Sequence, residues 1–158
     1  MPQIKAHDEI TINASIENVW KVLIDIPSYY KWWPKSVNLK VSNFNKDIIN
    51  TQFEARPLGG KSFSCSVVNI VPEKEIKLNY FEGIYRGEGV WNVEGKDDLV
   101  KVSYRVDLEI VDKSIALLSR VIPIPKLHSM IFKKILKGLE ERVKSNSKFT
   151  QTSIQSFP

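Results

Sequence analysis

Between residues 37 and 110 apolar side chains recur at every second position, and no other feature constrains the fold as strongly. Val37, Leu39 and Val41 alternate with polar residues, as do Ile49, Thr51, Phe53 and Ala55, and then Phe63, Cys65 and Val67. The pattern resumes with Ile76, Leu78 and Tyr80, with Tyr85, Gly87, Gly89, Trp91 and Val93, and with Val100, Val102, Tyr104, Val106, Leu108 and Ile110. Successive side chains of a strand point to opposite faces, so this period gives a sheet with one apolar and one wet face, as in antiparallel pairing. Turn-forming residues at 43–46, 59–60, 72–74 and 95–98 set hairpin spacing. Ile4, Ala6, Ile10 and Ile12 extend the alternation to an N-terminal strand. The glycines inside the strand at 85–93 imply bending or the close approach of another group.

An apolar sheet face has to be covered, and one element is large enough to cover it. Residues 126–144 carry Leu127, Ile131, Ile135, Leu139 and Val143 at i, i+4 spacing, flanked by Met130 and Phe132. Lys133, Lys134, Lys137 and Lys144 fall away from the stripe. Nearer the N-terminus, Ile16, Val19, Trp20 and Leu23 mark a short helix with Ser15 as its N-cap and Glu17 in the favourable first turn. Pro27 and Pro34 bracket a second short helix or turn. The expected fold is α+β: a curved antiparallel sheet of six to seven strands wrapped around a long C-terminal helix, with two short helices between strands 1 and 2. One domain is expected over residues 1–148, followed by a polar, flexible tail at 149–158. The segment 114–124 reads either as a short helix or as an apolar loop.

Of the 158 residues, 42% are hydrophobic and 26% charged, which is ordinary globular usage. Cys65 is the single cysteine, so no internal disulfide can form and nothing points to an oxidising compartment. The N-terminus lacks an apolar signal core, and the longest apolar stretch, 114–124, is too short to span a bilayer and contains Arg120. These features suit a cytoplasmic protein. The net charge of +5 is uneven: residues 1–111 carry 14 Lys/Arg and 15 Asp/Glu, whereas residues 112–158 carry 9 and 3. A basic terminal helix could meet an anionic membrane or a nucleic acid, but a solvated helix face is the simpler account, and nucleic acid is not the expected partner.

Strand parity places Phe53, Phe63, Tyr80, Tyr85, Trp91 and Tyr104 on the inner face, with Trp32 or Trp33 at one end and Ile131 and Ile135 facing them from the helix. These residues either fill a core or line a cavity. A cavity is favoured, because one helix hardly fills a concave sheet and three inward tyrosines need partners for their hydroxyls. Arg56, just before Pro57, could sit at the mouth and hold a carboxylate or phosphate. His128 is either a capping or surface histidine or a polar group at that mouth. Arg86, Glu88 and Arg105 have outward parity and read as solvated. With two histidines, one cysteine and no zinc, redox-pair, serine-triad or phosphate-loop motif, no metal, cofactor or catalytic residue is assigned. A Cys65–His128 dyad is conceivable, but a buried structural cysteine is the simpler reading.

Three segments together resemble a known superfamily. The first is INASIENVWKVLIDIPSYYKWWPKSV at 12–37, with Ala14 ending a strand, Val19 and Trp20 in the helix, Asp25 closing it, and Tyr30, Trp33 and Pro34 in the following turn. The others are GEGVWNVEG at 87–95 and LHSMIFKKILKGLEERV at 127–143. Over nearly its whole length the chain resembles the START/polyketide-cyclase superfamily, also called SRPBCC or helix-grip, which includes the birch-pollen-allergen-like proteins. That resemblance implies a ligand cavity between sheet and terminal helix. The superfamily holds lipid carriers, quinone-binding proteins, aromatase/cyclases, hormone receptors and chaperone activators, so it fixes no single function. The leading expectation is binding, and transport, of an isoprenoid, quinone, fatty-acyl or polyketide-like molecule. The alternatives are a polyketide cyclase or dehydratase using polar cavity residues, and a chaperone-activator-like interaction module. Residues 114–137 would supply any transient contact with an anionic membrane.

Overall fold

The alternation described above becomes seven strands of one sheet. The computed structural model describes the backbone of residues 2–155 and the side chains of residues 2–147. The strands are β1 (Gln3–Asn13), β2 (Lys40–Asn43), β3 (Gln52–Ala55), β4 (Phe63–Val71), β5 (Glu75–Gly83), β6 (Tyr85–Lys96) and β7 (Leu99–Ile110). Their order is β1-β7-β6-β5-β4-β3-β2, with every neighbouring pair antiparallel. The N-terminal strand thus pairs with the last one, Ile4 opposite Leu108 and Ile12 opposite Val100. Trp91 stands opposite Tyr104, and Leu78 opposite Gly89, so the aromatic inner face is continuous across the middle of the sheet.

Three helices accompany the sheet: α1 (Ile16–Ile24), α2 (Lys113–Leu118) and α3 (Ile124–Gln155). Ser15 caps α1, its hydroxyl accepting from the Asn18 N–H at 3.2 Å. After α1 come two 3-10 turns, Ile26–Lys31 and Lys35–Val37. The open question at residues 114–124 resolves into the short helix α2 and a turn. Asp112 caps α2, its carboxylate accepting from the Ser114 and Ile115 N–H groups at 3.0 Å each.

Two stretches of alternation are not strand throughout. Val37 lies in a 3-10 turn, and Asn38 in the left-handed region (φ 51°) breaks the run before β2 starts at Lys40. Residues Ile48 and Asn50 also have positive φ, so β3 begins only at Gln52. The long helix starts at Ile124, two residues earlier than its periodicity suggests. Pro125 fits its first turn, where the missing N–H is not needed. The helix backbone continues to Gln155, and the side chains of the expected tail at 149–158 lie outside the described residues.

Helix α3 runs along the concave face and buries Ile124, Phe132, Ile135, Leu136, Leu139 and Val143. Phe132 therefore belongs to the centre of the buried face, not its flank, while Met130 is exposed. The reason is geometric: a strict i, i+4 stripe drifts around a helix of 3.6 residues per turn. The buried face follows the helix, and Leu127 and Ile131 end only half-buried.

Gly138 sets how closely α3 can approach the first 3-10 turn. A Cβ there would lie 2.1 Å from the Trp32 carbonyl oxygen, a backbone atom that cannot swing aside. Helix propensity alone predicts that Gly138→Ala stabilises the protein by about 1 kcal/mol. The contact predicts the opposite sign, a loss of about 1–3 kcal/mol, read from the urea midpoint with the m-value unchanged.

Candidate functional site

Where α3 meets the middle of the sheet the packing is incomplete. A cavity of about 190 Å³ remains, bounded by the sheet, α2, α3 and the loop that follows β3. Trp33, Phe53, Phe63 and Tyr80 line it, as do Tyr85, Trp91 and Tyr104. From α3 come Ile131 and Ile135, together with His128 and Phe132. Leu58, Ile115 and Leu118 close the mouth side. The strand residues among them are those that parity places on the inner face. Arg86, Glu88 and Arg105, of the opposite parity, are on the wet side, with Glu88 paired to Lys77 at 3.3 Å. Trp33 rather than Trp32 lines the cavity, stacked on Tyr29 with ring centroids 5.4 Å apart.

The floor is built from two tyrosines on neighbouring parts of the sheet. Tyr104 leans across Gly89 toward Tyr80, and the two hydroxyl oxygens are 2.5 Å apart. A Cβ on Gly89 would lie 2.1 Å from the Tyr104 Oη and 3.0 Å from Tyr80 Cε2, so only glycine leaves room for the pair. Phe132 stacks flat on Tyr104 at 4.2 Å and 4°, and His128 stacks on Phe132 at 5.2 Å and 16°. Burial pushes both floor phenols well above their ordinary range, reinforced for Tyr80 by its neighbour Tyr104. Tyr85 is pushed up to about 12 by burial. Burial likewise raises the Cys65 thiol, which sits beside Tyr80 and not in the lining. These groups are neutral at physiological pH, so they donate hydrogen bonds and do not act as bases.

Arg56 does not reach the cavity. Its guanidinium donates to the Gly60 carbonyl at 3.0 Å and lies 3.8 Å from the Glu54 carboxylate, half exposed. The cation in the lining is Lys61. Its ammonium donates to the Asp112 carboxylate at 2.8 Å and to the Ser114 hydroxyl at 2.9 Å, joining the loop after β3 to the start of α2 across the mouth. The Lys61 ammonium, the Ser114 hydroxyl donating to Asp112 at 2.6 Å and the Ile115 amide together hold the Asp112 carboxyl well below the usual carboxylate range. The sequence carries no local sign of this bridge, because the partners are far apart along the chain.

The inner face also carries an acid. In the run Ile4, Ala6, Asp8, Ile10, Ile12, an acid occupies an apolar slot. Asp8 is indeed buried beneath α3, accepting from the Ser129 hydroxyl at 3.0 Å. Its charge only partly opposes the effect of burial on neighbouring His128, which is pushed down to about 4. The His128 Nδ1 is enclosed and has no hydrogen-bond partner among the described residues. Among the described residues no three acidic, histidine or cysteine side chains gather in a way that could hold a metal ion. No helix among them is long and apolar enough to cross a membrane.

A histidine held neutral in the fold makes folding compete with protonation. Between the ordinary histidine value of about 6.5 and about 4, the unfolded chain binds a proton that the native state refuses, so stability falls as pH falls. At pH 5 this amounts to about 2 kcal/mol relative to pH 7. His128→Leu is expected to remove that part of the acid sensitivity, seen as a smaller difference between denaturant midpoints at pH 7 and pH 5.

The family model described as polyketide cyclase/dehydrase and lipid transport matches residues 3–144. A search of curated proteins finds no match. Among solved structures, the protein TTHA0849 from Thermus thermophilus is similar with a TM-score of 0.75 and 22% identity, over 92% of this chain and 99% of that one. A START superfamily protein from Mycobacterium smegmatis gives 0.68 and 16%, over 89% and 97%. The Zhui aromatase/cyclase from a Streptomyces species gives 0.65 and 12%, over 90% and 94%. At these identities the likeness establishes a shared fold.

Proposed function

The chain belongs to the polyketide cyclase/dehydrase and lipid transport family, and from that premise we propose that it binds and carries a small apolar molecule in the cavity between sheet and α3. The observation that carries this reading is the lining: aromatic and aliphatic side chains enclose the space, and its phenols are held neutral. Both activities in the family description handle largely apolar molecules. The volume bounds the ligand. An apolar protein cavity of about 150 Å³ holds benzene, so about 190 Å³ suits one or two rings or a short prenyl or acyl segment. A longer lipid needs the mouth between the loop after β3 and α2 to open.

Native mass spectrometry of gently purified protein, followed by organic extraction, tests occupancy directly. Repeated absence of any co-purifying apolar molecule, with no binding of N-phenyl-1-naphthylamine, would sink the proposal. Ile131→Trp places an indole at a half-buried lining position and is expected to weaken binding of that probe by at least about tenfold, while the protein still unfolds cooperatively. The neutral His128 imidazole in the same lining favours a second reading, catalysis on a polyketide-like substrate. Recovery of a supplied cyclisable polyketide with loss of water supports that reading, and recovery unchanged supports the carrier.

The mouth also suits exchange with a membrane. Leu58 (70% exposed), Leu117 (62%) and Val121 (80%) present apolar surface beside it, and Lys113, Arg120 and Lys126 lie in the adjoining segment. Apolar side chains flanked by cations match an anionic bilayer surface, and residues 114–137 are the proposed contact. Replacing Leu117 and Val121 with serine is expected to lower co-sedimentation with phosphatidylglycerol vesicles several-fold, without changing the affinity for the naphthylamine probe.

A further inference from the structure

The floor of the cavity has a hydrogen-bond ledger that closes within the protein only through a sulfur. Tyr80 and Tyr104 each hold one phenolic proton, and a single short bond joins their oxygens. Whichever phenol donates across that bond, the pair keeps one O–H. Its protein neighbour is the Cys65 thiol beside Tyr80, and sulfur is a weak acceptor. A buried hydroxyl without a good acceptor is costly, and a cavity occupant is the one remaining source of a strong one. The Tyr85 hydroxyl adds a further donor without a hydrogen-bond partner among the described residues.

Gly89 makes the room in which the Tyr80–Tyr104 contact forms. Its backbone does not require glycine, since its φ is not in the left-handed region. What requires glycine is the end of the Tyr104 side chain, whose Oη and Cζ would lie 2.1 and 2.7 Å from a Cβ. The surroundings also set the charge of whatever docks there. Lys61, the lining cation, is at the exposed mouth and engaged by Asp112, and no cationic side chain stands among the residues around the phenols on the floor.

We infer that the Tyr80–Tyr104 pair is the specificity-determining element of the cavity and selects apolar ligands that bury a neutral carbonyl oxygen against it. This rests on the proposed binding function and narrows it. Hydrocarbons enter but are not discriminated for. Carboxylates are refused, because a buried anion would find neutral donors and no counter-charge. Such a site is the hydrogen-bonding kind that rejects an analogue lacking the polar group, since the site's own donor is then left unpaired.

A matched pair of probes tests this. 2-Acetylnaphthalene and 2-isopropenylnaphthalene differ by an oxygen in place of a methylene at nearly the same shape. Their dissociation constants can be measured by displacement of N-phenyl-1-naphthylamine, alongside 2-naphthoate. The protein is expected to prefer the ketone by about tenfold or more and to bind the carboxylate weakest. The double variant Tyr80→Phe/Tyr104→Phe, which removes both phenolic protons, is expected to erase the preference, read as the ratio of ketone to hydrocarbon affinity within that variant. Either single variant keeps one phenolic O–H but loses the partner that positions it, and serves as the second variant should the double variant fail to fold, with a reduced preference expected. Equal binding of ketone and hydrocarbon by the unmodified protein overturns the inference and leaves the binding function standing. So does a preference that survives in every variant that folds, or tightest binding of the carboxylate. Failure of all three probes and of the naphthylamine to bind overturns both.

Discussion

The Phe132–Tyr104 stack, two parallel rings 4.2 Å apart, is the contact on which the rest of this structure depends. It fastens the long helix to the centre of the sheet. Around it the other rings take their places: Trp91 against both rings, and His128 on the far face of Phe132. Aromatic side chains bury much area, and a ring held flat against another leaves little freedom, so this stack helps set the distance and roll of α3. Once that roll is set, the face bearing Ile135, Leu136, Leu139 and Val143 meets β1 and its neighbours, and Gly138 meets the backbone at Trp32. On the other side of the stack the sheet curves away faster than one helix can follow. The void is the geometric remainder of covering a concave sheet with a cylinder.

The interior is chemically quiet in a specific way. Burial pushes phenols and thiol toward their protonated forms and the imidazole toward its unprotonated form. Each shift removes a charge from a region that could not solvate it. What survives is a set of neutral hydrogen-bond donors in an apolar shell, which suits recognition of an apolar molecule with few polar atoms. Beneath α3 the Asp8 carboxylate is held by the Ser129 hydroxyl, and at the mouth the Lys61–Asp112 pair is solvated and contributes more to position than to stability. That pair also ties the loop after β3 to α2, the two elements that separate the cavity from solvent.

The family match and the curved sheet agree with the alternation read from residues 37–110, and much of the inner face could be assigned by counting in twos. Assignment failed where a residue's position depends on contacts distant along the chain. Arg56 looked like the head-group cation because it precedes a proline turn, yet its guanidinium folds back on Gly60 and Glu54. Lys61, five residues on, is the cation in the lining. Asp8 was visible as an acid in an apolar slot and needed only the question of what a buried carboxylate accepts.

The sequence by itself determined the period of each element, and through it the fold class, the inner and outer faces of the sheet, and the cap at Ser15, because these follow from local backbone geometry. It also held the glycines at 89 and 138, without showing what they were making room for. Only the tertiary structure decided that Tyr104 reaches across Gly89 to Tyr80, that Phe132 joins Ile135 and Leu139 against the sheet, and that a cavity remains beside them. The physical reason is that these are matters of angle and distance between elements. Helix roll, sheet curvature and close packing fix them jointly, and no single segment encodes them.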